Sequence, residues 1–444
     1  MRRKLILLAA LGAAMTLLLS GCFVKTVDEL YTLPRHSDEY HRLEEAIEEH
    51  MSAQNASYAA PVSGVNQQPV QLADLDGDGQ EEVIVFLRTS GAAPLRACIF
   101  AQTDGVYALK DVIEGSGASF ASVEYVPLTG GPGVEIVIGR QVSNSVLQSM
   151  SAYAYRDGHV VELMSANYSE YRTADLDGDG RTDIFLLRFD AEQRQGVAEV
   201  YRWQDAQMER EPEVSMSPGA AEVKRILVGG LTQTLPAVFV ASADEDGSLL
   251  TDVFAFDGGT FRNITAAESG LSTRTVRSYF VYAADVDGDG RIELPEILLL
   301  PSHDDSADER FSIISWYNLD LRGGSTRKLL TYHCFPGGWF VSLPEQWQTQ
   351  LCISRSAEVA GVRGYEFSHW VDGQEPEKIF TIYAFSGDDR VQTASSDGRF
   401  ILAEKGDITY AAELGTCIWA KDLSQEALRD MFHFIHIDWN SGET

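Results

Sequence analysis

The sequence has few basic residues, few cysteines and no long apolar segment beyond its N-terminus. Its 444 residues include 35 Lys and Arg against 66 Asp and Glu, which gives a formal net charge of −31. Because so acidic a chain is repelled by phosphate, its composition excludes nucleic acid and anionic lipid surfaces as electrostatic partners. No segment after residue 21 is apolar enough to cross a bilayer.

Motifs of common catalytic and redox sites are also missing. The chain has no Gly-x-Ser-x-Gly, His-Glu-x-x-His, P-loop or Gly-x-Gly-x-x-Gly in a suitable context. It has no Cys-x-x-Cys either, so neither a redox nor a zinc signature is supported. The five cysteines are Cys22, Cys98, Cys334, Cys352 and Cys417. Export would permit a disulfide such as Cys334–Cys352 or Cys352–Cys417, but buried free thiols on strands are the favoured interpretation.

The N-terminus predicts export and a lipid anchor. A basic start, Met1 to Lys4, precedes an apolar stretch that ends in Leu19-Ser20-Gly21-Cys22. This ending resembles the lipobox of bacterial lipoproteins. The resemblance implies that residues 1–21 are a signal peptide, that Cys22 carries the lipid, and that the protein lies on the extracytoplasmic face of the cell membrane. An ordinary secreted protein is the alternative.

Residues 22–69 are predicted to form the lipid-anchored tether and an N-terminal helix. Between residues 37 and 53, apolar residues recur at three- and four-residue spacing, which is typical of one helix face. These residues are Tyr40, Leu43, Ile47 and Met51.

Three copies of one acidic loop are the strongest signal in the chain. Each has the form Asp-x-Asp-Gly-Asp-Gly, and a further acid follows eight residues after its first Asp. Carboxylates at alternating positions repel one another unless the backbone wraps around a cation, and calcium takes six to eight oxygen ligands. The copies begin at Asp74, Asp175 and Asp285, and the further acids are Glu82, Asp183 and Glu293. We therefore expect about three calcium ions.

The loops are part of a longer repeat. Each loop is followed by an apolar run typical of a buried strand, at 83–86, 184–187 and 297–300. Two degenerate copies, at 128–138 and 228–240, keep the strand and lose the acids. Aligning the units on Glu82, Glu135, Asp183, Ala237 and Glu296 gives a period near fifty residues, and Asp157-Gly158 and Gly258-Gly259 predict hairpin turns. Four strands per repeat without helices are typical of a β-propeller blade.

The repeated loop before a buried strand resembles the FG-GAP or VCBS repeats of integrin-like β-propellers over residues 70–335. The resemblance implies calcium ligands in each acidic loop, with the residue two before the last acid giving a backbone carbonyl. The implied sets are Asp74, Asp76, Asp78, Gln80 and Glu82; Asp175, Asp177, Asp179, Arg181 and Asp183; and Asp285, Asp287, Asp289, Arg291 and Glu293. About five units are present where such propellers usually have seven.

An EF-hand or dockerin is the rival interpretation of the loops. The third copy supports it best, since Glu296 stands at position twelve, where an EF-hand has its bidentate acid. The first two copies have Val85 and Leu186 there, and Pro295 disfavours a helix after the third.

The sequence changes character near residue 335. Five tryptophans follow, and a closing helix is predicted from about Ser424 to His436, with Ser424 or Asp422 as its cap. His433 and His436 could seat two metal ligands on that helix, but a pair at the edge of the core is favoured. The tryptophans are predicted to be core residues rather than a sugar-stacking platform. Residues 336–444 are predicted to be a small α+β domain with its own core, loosely similar to one found in Firmicutes lipoproteins.

The predicted fold is therefore mainly β, a propeller-like array of about five blades with calcium loops, followed by a small α+β domain. The favoured function is a binding or scaffold module, held to the membrane by its lipid, with a protein or glycan ligand on the propeller face. The alternatives are an envelope-bound polysaccharide lyase or hydrolase and a lipoprotein that captures a small ligand.

Overall fold

The structure is a computed structural model that describes residues 38–103, 105–142, 148–190, 192–266, 273–278, 281–302, 310–359, 361–436 and 439. The predicted signal peptide, Cys22 and the tether up to residue 37 lie outside the described residues. Among the described residues, no helix is long and apolar enough to span a bilayer.

The N-terminal helix, α1, runs from Asp38 to Gln54 and confirms the predicted stripe. Ile47 is buried, and Leu43 and Met51 pack beside it against the first sheet. The apolar face of α1 therefore covers one face of that sheet, and its acidic residues remain toward solvent.

The rest of the described chain is mainly β, and its strands form six antiparallel sheets in chain order. Each of the first four sheets uses one continuous stretch of sequence. The first contains β1 Ser57–Tyr58, β2 Val70–Ala73, β3 Glu82–Arg88, β4 Leu95–Thr103 and β5 Val106–Gly115. The second contains β6 Ser119–Val126, β7 Glu135–Gln141, β8 Gln148–Arg156 and β9 His159–Tyr168. The third contains β10 Glu170–Ala174, β11 Asp183–Asp190, β12 Gln195–Gln204, β13 Gln207–Arg210 and β14 Val214–Ser215. The fourth contains β15 Glu222–Gly230, β16 Pro236–Ala243, β17 Leu249–Asp257 and β18 Thr260–Asn263.

The last two sheets involve the C-terminal part of the chain. The fifth begins with β19 Leu294–Leu299, β20 Ser312–Leu319, β21 Ser325–Cys334 and β22 Trp339–Ser342. The sixth contains β23 Leu351–Val359, β24 Val362–His369, β25 Glu377–Ser386, β26 Phe400–Lys405 and β27 Ile408–Leu414. Three short helices follow strands of this sheet: α2 Arg390–Ala394, α3 Ile418–Lys421 and α4 Gln425–Met431. The final strand, β28 Phe432–Phe434, joins the fifth sheet beside β22.

Burial on both faces explains why the second strand of each repeat is an unbroken apolar run. In β11, Ile184 and Leu186 pack against the second sheet, and Phe185 and Leu187 pack against the fourth. Since successive side chains of a strand point to opposite faces, neighbouring residues enter different cores. Each sheet of this part of the chain therefore packs face to face on the next.

The predicted hairpins are confirmed. Arg156 pairs with His159 across Asp157 and Gly158, which both have positive φ. Asp257 pairs with Thr260 across Gly258 and Gly259, again with positive φ at both. Two consecutive positive φ values are typical of the type I′ turn, whose twist matches that of the flanking strands.

One residue of the predicted repeat alignment is wrong. Ala73 pairs with Glu82 and Ala174 pairs with Asp183, and the equivalent bridge in the third acidic unit joins Ala284 to Glu293. Glu296 lies three residues further along β19 and is exposed. The structural equivalent of Glu82 is therefore Glu293, and the predicted apolar strand begins at residue 294 rather than 297.

Two expectations for the C-terminal part need correction. The closing helix ends at Met431 instead of His436, because Phe432 pairs with Val341 and Phe434 with Trp339 in the fifth sheet. Ser424 does cap the helix, since its hydroxyl accepts a hydrogen bond from the N–H of Ala427. His433 is thus an exposed strand residue and shares no helix with His436.

The second correction concerns the core predicted for 336–444. Leu300, Ile313 and Leu330 of the fifth sheet belong to the same cluster as the residues predicted to form that core. The predicted core residues, which do lie together, are Trp347, Phe380, Ile382, Trp419, Leu428, Met431 and Phe432. The proposed boundary at residue 335 thus falls between two paired strands, β21 and β22. Separate folding of 336–444 stays a prediction.

The sheets do not close into a ring by hydrogen bonding. Within the described residues, strands pair inside their own sheets, and none of the first sheet pairs with the sixth. The mainly β, antiparallel architecture is confirmed, and the finer arrangement as propeller blades is not shown. Cys98, Cys334, Cys352 and Cys417 are all buried and free, as the sequence analysis favoured.

Candidate metal centres

The three acidic loops occupy equivalent places in their sheets. The first joins β2 to β3, the second joins β10 to β11, and the third leads into β19. In each loop both glycines have positive φ, between 75° and 86°. Side chains with a Cβ are penalised in this region, so the glycines allow the tight curvature. Since strands follow all three loops, the EF-hand alternative, which needs a helix there, is wrong.

The loops bring carboxylates together. In each of three clusters, one carboxylate oxygen per residue lies within 4.8 Å of the corresponding oxygens of the other two. The clusters are Asp74, Asp76 and Asp78; Asp175, Asp177 and Asp183; and Asp285, Asp287 and Asp289. The second cluster contains the buried Asp183 in place of Asp179. The sequence pattern alone does not distinguish these two arrangements.

Backbone N–H groups hold the first aspartate of each loop in the same way. Asp74 accepts hydrogen bonds from Gly77 at 2.8 Å and from Gly79 at 3.0 Å, one to each carboxylate oxygen. Asp175 accepts them from Gly178 and Gly180, and Asp285 from Gly288 and Gly290. These bonds fix the carboxylates before any ligand arrives, although they leave the like charges uncompensated.

The residues predicted to give backbone carbonyls lie at the ends of the loops. Their N–H groups donate to the third aspartate of each loop, with N···O distances of 2.7 to 2.9 Å. They are Gln80, Arg181 and Arg291. Their predicted role through the carbonyl oxygen stays a prediction.

The acid that closes each loop is buried at the start of the following strand. The carboxylates of Glu82, Asp183 and Glu293 accept the N–H of Leu75, Leu176 and Val286 at 2.9, 2.8 and 3.0 Å. Burial raises the pKa of all three carboxyls, and neighbouring loop aspartates raise it further. The pKa of Asp183 rises to about 7. A cation in the loop would favour the ionised form and oppose this shift.

Glu135 shows that this acid also has a structural role. In the second unit, which lacks the aspartates, Glu135 accepts the N–H of Leu128 at 2.7 Å, seven residues before it, as the other three acids do. It also accepts hydrogen bonds from the N–H and the hydroxyl of Thr129. The closing acid therefore clamps the loop backbone whether or not carboxylates cluster nearby.

Basic side chains from later strands reach two of the three loops. Arg202 on β12 contacts Asp177 with an N···O distance of 2.5 Å. Lys328 on β21 lies 2.7 Å from Asp289 and 3.3 Å from Asp287. No described residue forms an ion pair with the aspartates of the first loop, so the three loops differ electrostatically. Sequence reasoning missed both cations, because they come from strands 25 or more residues away.

Degenerate loops pack directly against acidic ones. A Cβ on Gly77 would collide with the backbone of Pro132, and one on Gly133 would collide with that of Leu75. The degenerate loop near Gly230 lies against Gly290 of the third acidic loop in the same manner. The loops of neighbouring sheets therefore lie together at one end of the stacked sheets. The conformation of each acidic loop consequently affects the loop that packs against it.

The donor sets fit a hard cation. All side-chain donors are carboxylate oxygens, and their separations of up to 4.8 Å match oxygens on opposite sides of a calcium ion with bonds of about 2.3–2.6 Å. Cysteine and histidine, the donors that favour zinc, are absent from the three clusters. The structure therefore supports three acidic clusters that could hold a metal ion.

A cavity of about 520 Å³ adjoins the third loop. Asp285 and Asp287 line one side of it, and Phe340, Trp439 and the exposed His433 and His436 are among the residues that line the rest. The C-terminal end of the chain thus returns to the third acidic loop. Local sequence patterns do not predict this contact, since the two segments are far apart in the chain.

The tryptophans of the C-terminal part are mostly core residues. Trp339, Trp347 and Trp439 are buried, and Trp419 stacks on Trp347 at a ring distance of 5.4 Å. This agrees with the predicted structural role.

Comparisons with known proteins give no family. No family model matches the chain, and no curated protein matches it. Among solved structures, it is similar to an exotype rhamnogalacturonan lyase, YesX, with 12% identity over 66% of this chain and 68% of that one and a TM-score of 0.25. It is also similar to a Bacillus licheniformis rhamnogalacturonan lyase and to the rhamnogalacturonan lyase YesW. Each has 11% identity over 81% of this chain and 72% of that one, with a TM-score of 0.29. Scores and identities this low support neither a fold assignment nor an activity.

Proposed function

We propose that the protein is a binding or scaffold module of the cell envelope whose stacked sheets are stabilised by three calcium ions. The sheets are proposed to be arranged as propeller-type blades, with the calcium loops at one end. The observation that carries the proposal is the recurrence of one loop geometry in three sheets, each with three converging carboxylates. In this proposal calcium stabilises structure and performs no chemistry.

Electrostatics gives the ions their stabilising role. Three carboxylates whose oxygens lie within 4.8 Å of one another repel, and each loop also packs on a neighbouring loop. A divalent cation neutralises the cluster and ties the start of a buried strand to the loop before it. Calcium at roughly a hundredfold excess over its dissociation constant would add about 2.7 kcal/mol for each site that binds only the folded state.

The number of calcium ions bound per chain tests this proposal. The purified protein is equilibrated with millimolar calcium, and bound metal is measured alongside thermal unfolding. We expect Asp76→Asn, Asp177→Asn and Asp287→Asn each to remove about one ion and to lower the melting temperature more in the presence of calcium than in its absence. Asp205→Asn, in an exposed hairpin turn outside the loops, makes the same charge change and serves as the control. Fewer than two ions per wild-type chain would count heavily against the proposal.

The proposed location at the membrane rests on the N-terminal motif alone. We expect Cys22 to carry the lipid and to hold the sheets on the extracytoplasmic face. The ligand of the module is expected to be a protein or a glycan, because the acidic surface disfavours nucleic acid. A glycan and peptide array probed with the lipid-free protein would identify the class.

A carbohydrate-active enzyme is the second candidate, and the cavity at the third loop favours it. There, two carboxylates of the proposed calcium loop share a cavity with two exposed imidazoles and an aromatic wall. Aromatic faces bind sugar rings, and imidazoles are suited to acid–base work.

An activity assay separates the two candidates. The calcium-loaded protein is incubated with acidic and neutral polysaccharides, and new reducing ends and unsaturated products are measured. Cleavage that falls at least a hundredfold in both His433→Gln and His436→Gln, but not in the surface variant His41→Gln, would favour the enzyme. Binding without cleavage would favour the module.

A further inference from the structure

A second cavity lies between the fifth and sixth sheets, away from the acidic loops. Its volume is about 590 Å³, within the range of small-molecule sites. Residues from the turn after β21 line one side, and β24, β25 and β27 line the other. A cleft between two packed sheets is a common place for such a site, because each sheet supplies one rigid wall.

The charge of this cavity is opposite to that of the protein. Arg363 is its one charged lining residue, and no carboxylate lines it, although acids outnumber bases nearly two to one in the chain. Arg363 is exposed and forms no ion pair with any described residue. A free guanidinium presents several N–H donors in a plane, which suits a carboxylate or a phosphate.

The walls are aromatic. Trp339, Tyr365, Phe385 and Tyr410 line the cavity, and the rings of Trp339 and Tyr365 are edge to face at 5.7 Å. The hydroxyl of Tyr410 donates to the carbonyl of Gly337 at 3.0 Å, so it fixes the turn that forms the opposite wall. These side chains are largely buried and are held in place by the surrounding core, so the walls are rigid.

The indole N–H of Trp339 has no acceptor among the described residues, and Trp339 as a whole is 1% exposed. Gly337 leaves space beside it, because a Cβ there would lie 2.5 Å from the indole nitrogen and 3.1 Å from the sulfur of Cys334. A ligand acceptor could take this N–H, which no described protein group occupies.

We propose that this cavity binds a small aromatic anion. Its carboxylate or phosphate would pair with Arg363, its ring would lie against Tyr365 and Tyr410, and an acceptor atom would take the N–H of Trp339. The hydroxyl of Ser386 already donates to the carbonyl of Gly361, so the charged group that the lining offers a ligand is Arg363. The site is independent of calcium and of the proposed scaffold role.

Direct binding measurements on the full-length protein in detergent test this site. Calorimetry and tryptophan fluorescence are recorded with indole-3-acetate, 4-hydroxyphenylacetate and phenyl phosphate. The neutral analogue is indole-3-acetamide, and the sugar analogue is glucose 1-phosphate. We expect at least one aromatic anion to bind, and its neutral analogue to bind at least tenfold more weakly.

Three variants locate the binding. Arg363→Gln should weaken binding at least tenfold, and Arg363→Lys should restore part of it. Gly337→Ala should weaken it by filling the space beside Trp339. Arg42→Gln, an exposed change of the same charge on α1, should leave it unchanged. Melting temperatures show that each variant is folded.

Three outcomes would overturn the proposal. The first is that none of the aromatic anions binds at millimolar concentration. The second is equal binding to wild type and to a folded Arg363→Gln protein. The third is preference for glucose 1-phosphate over every aromatic probe, which would make the site one for sugar phosphates.

Discussion

His333 should make the folded protein sensitive to acid. It lies on β21 and is 6% exposed, and neither of its ring nitrogens has a hydrogen-bond partner. The rings of Trp316, Phe340 and Trp439 surround it at centroid distances of 5.1 to 6.1 Å. Burial in this apolar site lowers its pKa to about 3, from an ordinary value of 6.5.

The sign and size of the effect follow from proton linkage. The folded state keeps His333 neutral down to about pH 3, whereas the unfolded chain protonates it below about pH 6.5. The full contribution to stability is therefore present above pH 6.5 and is lost as the pH falls toward 3. Each pH unit in this window is worth about 1.4 kcal/mol, so going from pH 7 to pH 5 should cost about 2 kcal/mol.

His333→Phe isolates this contribution. Phenylalanine has a similar flat shape and carries no unpaired nitrogen, so the variant should be at least as stable as wild type at pH 7. Urea unfolding of both proteins at pH 7, 6 and 5 gives the comparison. The wild type should lose about 2 kcal/mol more than the variant between pH 7 and 5.

The difference between the two proteins is the informative quantity. Glu82, Asp183 and Glu293 have raised pKa values, so their protonation stabilises the fold as the pH falls. Their effect has the opposite sign and is common to both proteins. If wild type and variant lose stability in parallel, His333 is protonated in the folded state or reaches water, and the reasoning is refuted.

Four further predictions follow from the loops and the anchor. Chelation of calcium should lower the melting temperature in a scan, and a curve that is the same with and without chelator would contradict the stabilising role. Lys328→Gln should tighten calcium binding at the third loop several-fold, because the ammonium group competes with calcium for Asp287 and Asp289. Calcium titrations that are the same for variant and wild type would show that the Lys328 side chain moves away from the loop freely. Gly77→Ala should lower the stability of the protein more than Gly79→Ala, since both glycines have positive φ but only Gly77 lies against a neighbouring backbone. Equal losses of unfolding free energy in urea would mean that the first acidic loop does not pack against the degenerate loop beside it. Cys22→Ala should release the protein or leave it unprocessed, and a processed variant that fractionates with membranes at the wild-type level would refute the lipid assignment.

Local signals made the loops and several elements predictable. The two glycines of each acidic loop have the positive φ that their lack of a Cβ permits, and the alternating aspartates converge as expected. The stripe along α1, the cap at Ser424 and the two hairpin turns were also correct. In each case the information lies within a few residues, because φ preference, capping and periodicity are short-range properties.

The C-terminal errors arose where distant segments compete with local preference. Residues 432–434 continue a helical pattern in sequence, but they pair with β22, about ninety residues earlier in the chain. Strand pairing and burial against Trp339 and Tyr410 outweigh one more turn of helix. The equivalence of Glu293, rather than Glu296, with Glu82 is likewise visible only in the bridge to Ala284.

The sequence by itself determined a mainly β chain with three acidic loops whose carboxylates converge. Only the tertiary structure decided which charges and surfaces those loops meet. Arg202 and Lys328 reach the second and third loops from later strands, whereas no basic residue in the described part of the chain pairs with the aspartates of the first loop. The cavity with Arg363 likewise exists only where two sheets pack together. Residue type and spacing control local backbone geometry, whereas contacts across sheets depend on how separate strands stack.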